Sequence, residues 1–345
     1  MKINKYFCAC NSIYGFKSFF EDVFFNDSVK KRYIIKGGPG TGKSTLMKLI
    51  ADNALSLGYN VDLYYCSSDP DSLDGVFIKD LDICIFDGTA PHSYDLRYPG
   101  AFDTAVYMDR FWDEKILCER KNEIKSLFGK CSELYKRGYS ALAAAGRIRS
   151  NLYSCIYSHI DMEKIKKAAK NYAFRFSGGS GTPKMRMISS LGGKGAVTLT
   201  DNFTSVKNLY YVQDRVCIAP VLLENILKFS SGEVEVLLDP IDPEKIQGLY
   251  FPTADVLFTS SIELVKNKKH KTIHSSRFTD GFLCENKAKI RFEVKYAQAL
   301  IDHGCSYFTE AKKVHDILEQ IYISAMDFEA KESWTHDFIS EIFCQ

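Results

Sequence analysis

The sequence lacks the features that would place the protein in a membrane or outside the cell. None of its apolar runs approaches the roughly 18 residues that a membrane-spanning helix requires. Its first residues, from Met1 to Lys5, do not resemble a signal peptide. The 11 cysteines are scattered through apolar segments, and the C-x-C pair of Cys8 and Cys10 has no second pair at metal-ligand spacing. We therefore expect a cytoplasmic protein with reduced thiols.

The sequence also has little excess charge of either sign. Lys and Arg number 45 against 43 Asp and Glu, which gives a formal net charge of +2. A nucleic-acid surface usually shows a marked basic excess, so we expect no nucleic acid as a partner. The 345 residues, 46% of them hydrophobic, suit two domains with a core each.

One stretch, from Lys36 to Thr45, carries the strongest functional signal and reads K-G-G-P-G-T-G-K-S-T. An apolar strand-like run precedes it and a segment of helical periodicity follows, which is the context of a phosphate-binding Walker A motif. Glycines let backbone N–H groups turn toward phosphates, Lys43 would reach the β- and γ-phosphates, and Ser44 would bind Mg²⁺. The motif predicts binding of a nucleoside triphosphate. The predicted binding residues are Gly38, Pro39, Gly40, Thr41, Gly42, Lys43, Ser44 and Thr45.

Asp87 ends an apolar strand-like run and is predicted to hold Mg²⁺ together with Ser44. The next residue is Gly88, where AAA-type ATPases usually carry a glutamate base. The absence of this glutamate argues against that class, or indicates that a residue elsewhere in the chain activates the water. Candidates are acidic residues of the polar loop 67–75 and a histidine beyond Asp87. The predicted catalytic residues are Lys43, Asp87, Asp71, Asp74 and His92.

The chain repeats itself in three blocks. Ser28 matches Ser205 at a shift of 177, Val61 matches Val234 at a shift of 173, and later residues match at a shift of 166. Such a series indicates a tandem duplication. We predict an α/β fold in which each half, 1–180 and 184–345, has a parallel sheet flanked by helices and an added helical segment.

The second copy has lost its nucleotide chemistry. At the shift of 177, Gly37–Ser44 falls on 214–221, a segment without glycine in which Pro220 replaces the lysine. At the shift of 173, the aspartate that ends the third strand falls on Ser260. Bulky side chains where bare backbone is needed predict that this loop cannot cradle a phosphate.

These motifs resemble those of an uncharacterised bacterial family of tandem P-loop ATPases. The family carries K-G-G-P-G-T-G-K-S-T, then C-S-S-D-x-D-S-L-D-G, then D-G-T-A-P-H, which match residues 36–45, 66–75 and 87–92 here. The resemblance extends over nearly the whole chain and implies a P-loop NTPase fold that binds and hydrolyses ATP. It implies no substrate, and the decayed second loop departs from the family pattern.

We therefore expect a Mg²⁺-dependent ATPase whose hydrolysis changes the arrangement of the two halves. Two alternatives stay open, a small-molecule or nucleotide kinase and a nucleotide-gated binding module that turns over little. The absence of an N-K-x-D guanine-reading motif favours ATP over GTP. A protein or small-molecule partner is unidentified, and we expect the halves to pack as an intramolecular pseudo-dimer. Arg147 and Arg149, on a charged helix, are expected to face solvent.

Overall fold

We describe the protein from a computed structural model, which covers residues 1–90, 92–214 and 216–344. Pro91 of the D-G-T-A-P-H motif and Arg215 of the decayed loop lie outside these residues. The strands are β1 (Ile3–Phe7), β2 (Ala9–Ser12), β3 (Gly15–Ser18), β4 (Lys31–Lys36), β5 (Val61–Tyr65), β6 (Leu73–Ile78), β7 (Ile83–Asp87), β8 (Asp103–Tyr107), β9 (Lys184–Arg186), β10 (Ser189–Gly192), β11 (Gly195–Thr198), β12 (Asn208–Gln213), β13 (Glu235–Leu238), β14 (Ile246–Phe251), β15 (Val256–Thr259) and β16 (Lys271–His274). The helices are α1 (Phe20–Phe24), α2 (Lys43–Ser56), α3 (Glu114–Glu119), α4 (Lys121–Tyr157), α5 (Met162–Phe176), α6 (Ala219–Phe229), α7 (Ile262–Val265), α8 (Phe282–Glu285), α9 (Lys287–Ile323) and α10 (Phe328–Phe343).

The first half builds a six-stranded sheet in the order β1-β5-β6-β7-β4-β8. All neighbours are parallel except at β6, which runs antiparallel to both β5 and β7. The prediction of an all-parallel sheet, with Leu73–Gly75 in a loop, is therefore wrong at this strand. The connections on either side of β6 are too short for a crossover helix, and such short connections join antiparallel strands.

The second half repeats this sheet strand for strand, in the order β16-β12-β15-β14-β13-β9. Its single reversed strand, β14, corresponds to β6. The tight turns that follow these two strands contain Asp82 and Asp255, whose φ angles are 55° and 51°. The α/β class and the two similar halves are confirmed, and both sheets are mixed rather than parallel.

Each half also carries a small hairpin that the sequence did not predict. The run from Tyr6 to Cys10 is divided between β1 and β2, and β2 pairs with β3. Strands β10 and β11 form the matching hairpin of the second half. Each hairpin contacts the other half, since Ile13 donates its N–H to the Ile241 carbonyl at 3.0 Å, and Gly193 donates to Ser68 at 3.2 Å.

The long helices α4 and α9, 37 residues each, pack antiparallel and join the two halves. Cys131 near the start of α4 contacts the Ala311 carbonyl in the later part of α9, with Sγ 3.6 Å from the oxygen. The helices cross at Gly138 and Gly304, which are equivalent residues at the shift of 166 and leave room for close backbone approach. No helix in the described part of the chain is both long and apolar enough to span a membrane.

The helices that end each half pack on the opposite half. α5 lies in the apolar core beside α6 and the second sheet, and α10 lies in the core beside α2 and the first sheet. Each half thus exchanges its last helix with the other half. Isolated β-bridges at matching places accompany this exchange, between Trp112 and Met326 and between Ile160 and Thr279. The division into 1–180 and 184–345 stays a prediction, but the helices of each segment complete the core of the other.

Candidate functional site

The predicted phosphate loop lies between strand β4 and helix α2. β4 ends at Lys36 and α2 begins at Lys43, so the loop turns at the carboxyl edge of the first sheet. Gly40 and Gly42 have φ angles of 70° and 78°, in the region that residues with a β-carbon avoid. The first N–H groups of α2 have no acceptor within the helix, which favours an anion at this end.

Lys43 is folded back onto this loop. Its ammonium donates hydrogen bonds to the carbonyl oxygens of Gly37 at 2.9 Å and Gly38 at 2.8 Å. It also lies 3.6 Å from a carboxylate oxygen of Asp87, and the Lys43 side chain is only 14% exposed. Ser44 follows, and its hydroxyl oxygen accepts the N–H of Leu73 at 2.9 Å. The fold thus brings Lys43, Ser44 and Asp87 to one edge of the sheet.

Asp87 ends β7, the strand next to β4. Its carboxylate accepts the N–H of Thr89 at 2.9 Å and also accepts the Thr89 hydroxyl. Burial raises the pKa of Asp87 and the neighbouring Asp74 adds to the rise, whereas Lys43 and Thr89 lower it. A carboxylate whose charge is this poorly solvated gains from a nearby cation.

The other three catalytic candidates divide into two groups. Asp74 and His92 are both buried, with a carboxylate oxygen 3.3 Å from the imidazole Nε2. The His92 ring stacks on Phe20, with ring centres 4.2 Å apart. Asp71, by contrast, has a side chain that is 74% exposed and forms an ion pair with Lys194 of the second half. The structure therefore joins Asp74 to His92 and directs Asp71 to solvent.

The second half of the chain covers the phosphate loop. The last turn of α9 approaches so closely that a β-carbon on Gly40 would lie 2.7 Å from the carbonyl oxygen of Glu319. A β-carbon on Gly42 would collide with the ammonium of Lys331, which belongs to α10. The covering backbone therefore requires glycine at position 40, whereas at position 42 the Lys331 side chain could move and the φ angle is what favours glycine.

α9 also brings charged side chains to the rim of this loop. Lys312 lies 3.5 Å from a carboxylate oxygen of Asp69, on the loop after β5. Burial lowers the pKa of His315, and the ammonium groups of Lys312 and Lys43 add to the lowering. The side chains here that could hold a metal ion are His315, Asp316 and Glu319, whose donor atoms lie within 4.8 Å of one another.

The decayed loop of the second half shares one backbone feature with the intact loop. Cys217 has a φ angle of 63°, close to the 70° of the glycine at the equivalent position. The carboxylate of Asp214 accepts the N–H groups of Val216 at 3.0 Å and Ala219 at 2.6 Å, and the hydroxyl of Ser275 at 3.1 Å. An internal carboxylate therefore satisfies backbone donors of the loop, which the prediction of a lost phosphate site did not include.

Arg149 is not on a solvated face, so that expectation is wrong. Its side chain is 24% exposed, and its guanidinium lies 3.5 Å from a carboxylate oxygen of Asp239 and 3.7 Å from the sulfur of Cys217. Arg147 is exposed, as expected. The end of α4 thus covers the decayed loop as the end of α9 covers the intact one.

Sequence reasoning missed every residue that the second half places over the intact loop. Helical periodicity shows which face of a helix is apolar but not which element covers that face. The repeat shows only that Arg149 and His315 are equivalent residues at the shift of 166, which does not say what either of them covers.

No protein-family model, curated protein or solved structure matches this chain. Membership of the family of tandem P-loop ATPases accordingly stays a prediction, based on the three motifs at 36–45, 66–75 and 87–92.

Proposed function

We propose that the first half binds ATP with Mg²⁺ and hydrolyses it. One observation carries the proposal, the placement of Lys43 on a glycine-rich loop beside Asp87 of the adjacent strand. A strand, such a loop and a helix N-terminus are the parts that hold a triphosphate in P-loop enzymes. The absence of a guanine-reading motif favours ATP over GTP.

The residues present fit a triphosphate with Mg²⁺. The ammonium of Lys43 would exchange its carbonyl partners for phosphate oxygens, and the glycines add no side chain over the N–H groups of the loop. Ser44 and Asp87 offer hydroxyl and carboxylate oxygens, the ligand type that Mg²⁺ prefers. The ion would supply charge neutralisation for the leaving phosphates.

Gly88 supports placing the water-activating group away from the usual glutamate of AAA-type ATPases. A side chain at position 88 would collide with Ile34, so this backbone has no space for a glutamate. The remaining candidates are Asp74, His92 and Asp71. The same observation keeps a kinase as the second candidate, because phosphoryl transfer to a hydroxyl depends mainly on positioning and charge neutralisation.

The reciprocal packing supports a further part of the proposal, that the halves act as an intramolecular counterpart of a homodimer. α5 and α10 are exchanged, and equivalent glycines meet where α4 and α9 cross. A change at the intact loop would reach the second half directly through α9 and α10. We therefore propose that nucleotide turnover moves one half against the other.

Phosphate release from ATP and GTP, with and without Mg²⁺, tests the hydrolytic part of the proposal. Wild type is expected to release phosphate from ATP with Mg²⁺, and Lys43→Ala is expected to lose this activity while keeping its circular dichroism spectrum. Saturable ATP binding without release, abolished in Lys43→Ala, would favour the kinase or the nucleotide-gated module. Activity that survives Lys43→Ala would contradict the proposed site.

A further inference from the structure

Lys331 carries a positive charge close to the phosphate loop, and within the described residues the anion that raises its pKa is the adjacent Glu332. Its ammonium reaches the backbone at Gly42, the N-cap of α2. None of the ion pairs within 4.0 Å among residues 1–90, 92–214 and 216–344 involves it, and its contact besides the loop is with the ring of Phe328 at 5.8 Å. Burial lowers the pKa of Lys331, as expected for an ammonium that has lost part of its hydration.

The surroundings of Lys331 make this placement unfavourable without a ligand. The N-terminus of α2 carries a partial positive charge, and the ammonium of Lys331 lies at this helix end. The charge of the helix end repels a cation, and a half-buried charge without an ion pair is costly. A polyanion on the loop would attract Lys331 instead.

The duplication supplies an internal control for this position. α5 and α10 both begin after an aspartate N-cap, Asp161 and Asp327. The fourth residue after each cap is Ile165 in the first half and Lys331 in the second. Ile165 is fully buried in the apolar core beside the decayed loop. The lysine thus occurs in the copy that covers the intact loop, and isoleucine takes its place over the loop without phosphate chemistry.

The same contrast extends to the covering ends of the long helices. Lys312 and Glu319 of α9 fall, at the shift of 166, on Gly146 and Tyr153 of α4. The helix over the intact loop is therefore charged where its counterpart over the decayed loop is small or aromatic. Arg149 keeps a charge at the end of α4, but it has an internal partner in Asp239.

We propose that Lys331, supplied by the second half, contacts the phosphates of the nucleotide that the first half binds. The proposal rests on the proposed function and adds a residue from the other half to the site. Lys331 would then report the presence of the triphosphate to α10, and through it to the second half. Such a charge-assisted contact adds affinity for phosphate and does not involve the base.

Calorimetric titration with the imido analogue of ATP and Mg²⁺ tests the contact in the full-length chain. Lys331→Met removes the charge and keeps the apolar stem on Phe328, so the fold should persist. We expect its dissociation constant to rise about 10- to 100-fold, and that of Lys331→Arg to stay within about threefold of wild type. Lys167→Met, which removes one exposed charge from the equivalent helix α5, is the matched control and should bind as wild type does.

The outcomes separate the two proposals. Tight binding by wild type, lost in Lys43→Ala but unchanged in Lys331→Met, would overturn the role of Lys331 and leave the nucleotide site standing. No binding by wild type would overturn both. Equal weakening by Lys331→Met and Lys167→Met would show a general charge effect and would also overturn the contact.

Discussion

At the scale of single residues, the buried charge of Asp87 links stability to function. Burial raises the pKa of this carboxyl above its ordinary value of 3.8. Folding therefore favours the neutral, protonated form of Asp87. The stability that this form contributes is fully present at pH values below the unfolded-state pKa, and it is lost as the pH rises through the folded-state pKa. At pH 7, where the carboxyl is ionised in the unfolded chain, its burial on folding opposes stability.

Asp87→Asn is expected to keep or raise the thermal midpoint of the nucleotide-free protein at pH 7, because it removes that opposing charge. Phosphate release is expected to fall by about 100-fold or more, since a proposed ligand of Mg²⁺ is lost. Differential scanning fluorimetry and a phosphate assay on the same preparations measure both effects. A lower midpoint together with normal turnover would contradict the assigned role.

The remaining acidic candidates can be separated by exposure. Asp71→Asn is expected to change phosphate release by less than about twofold, because its ion pair with Lys194 is exposed and such pairs contribute little. Asp74→Asn is expected to reduce it by about tenfold or more, since Asp74 is buried against His92 and general acid–base groups contribute at least this much. The reverse order would place the water-activating group on the loop after β5.

At the scale of elements, the crossing of α4 and α9 depends on a glycine. A β-carbon on Gly138 would collide with the ring of Phe308, whereas one on Gly129 of the same helix would meet nothing within 4 Å. Gly138→Ala is expected to lower the free energy of unfolding by about 1–3 kcal/mol through overpacking. Gly129→Ala, the matched control, is expected to raise it by up to about 1 kcal/mol, since alanine favours helix. Urea denaturation distinguishes the two, and equal effects would contradict the described crossing.

The decayed loop offers a second element whose stability can be measured. Asp214→Ala leaves two backbone N–H groups without their carboxylate acceptor, so we expect a loss of about 1–3 kcal/mol in the free energy of unfolding. Nucleotide binding in the first half should persist. Unchanged stability in urea would mean that the carboxylate does not support the loop.

The elements that the sequence predicted are those with local signals. β4, the glycine loop and α2 follow from an apolar run, a glycine pattern and helical spacing over 33–50. β6 was missed because its start, Leu73–Gly75, lies within a run of turn-forming residues. The two hairpins share a shape but little sequence. The matched blocks therefore begin only at Ser28, after the first hairpin, and gave no signal for either copy.

At the scale of the whole molecule, the duplication could be predicted but the exchange of helices could not. Matched blocks at drifting shifts show that a unit occurs twice, and they carry no information about which half a helix packs on. The long-range contacts of α10 with the first sheet decide that question. The same contrast holds for the candidate site. Local motifs indicated Lys43 and Asp87, whereas Lys331 reaches the loop through long-range packing that no local motif indicates.

We propose that the duplicated pair of loops leaves one functional nucleotide site in this chain, because the carboxylate of Asp214 occupies the second loop. Equilibrium titration of the full-length chain with Mg²⁺-nucleotide measures how many nucleotides each chain binds. We expect one nucleotide per chain, lost in Lys43→Ala and retained in Asp214→Ala. Two nucleotides per chain, or one that survives Lys43→Ala, would contradict it.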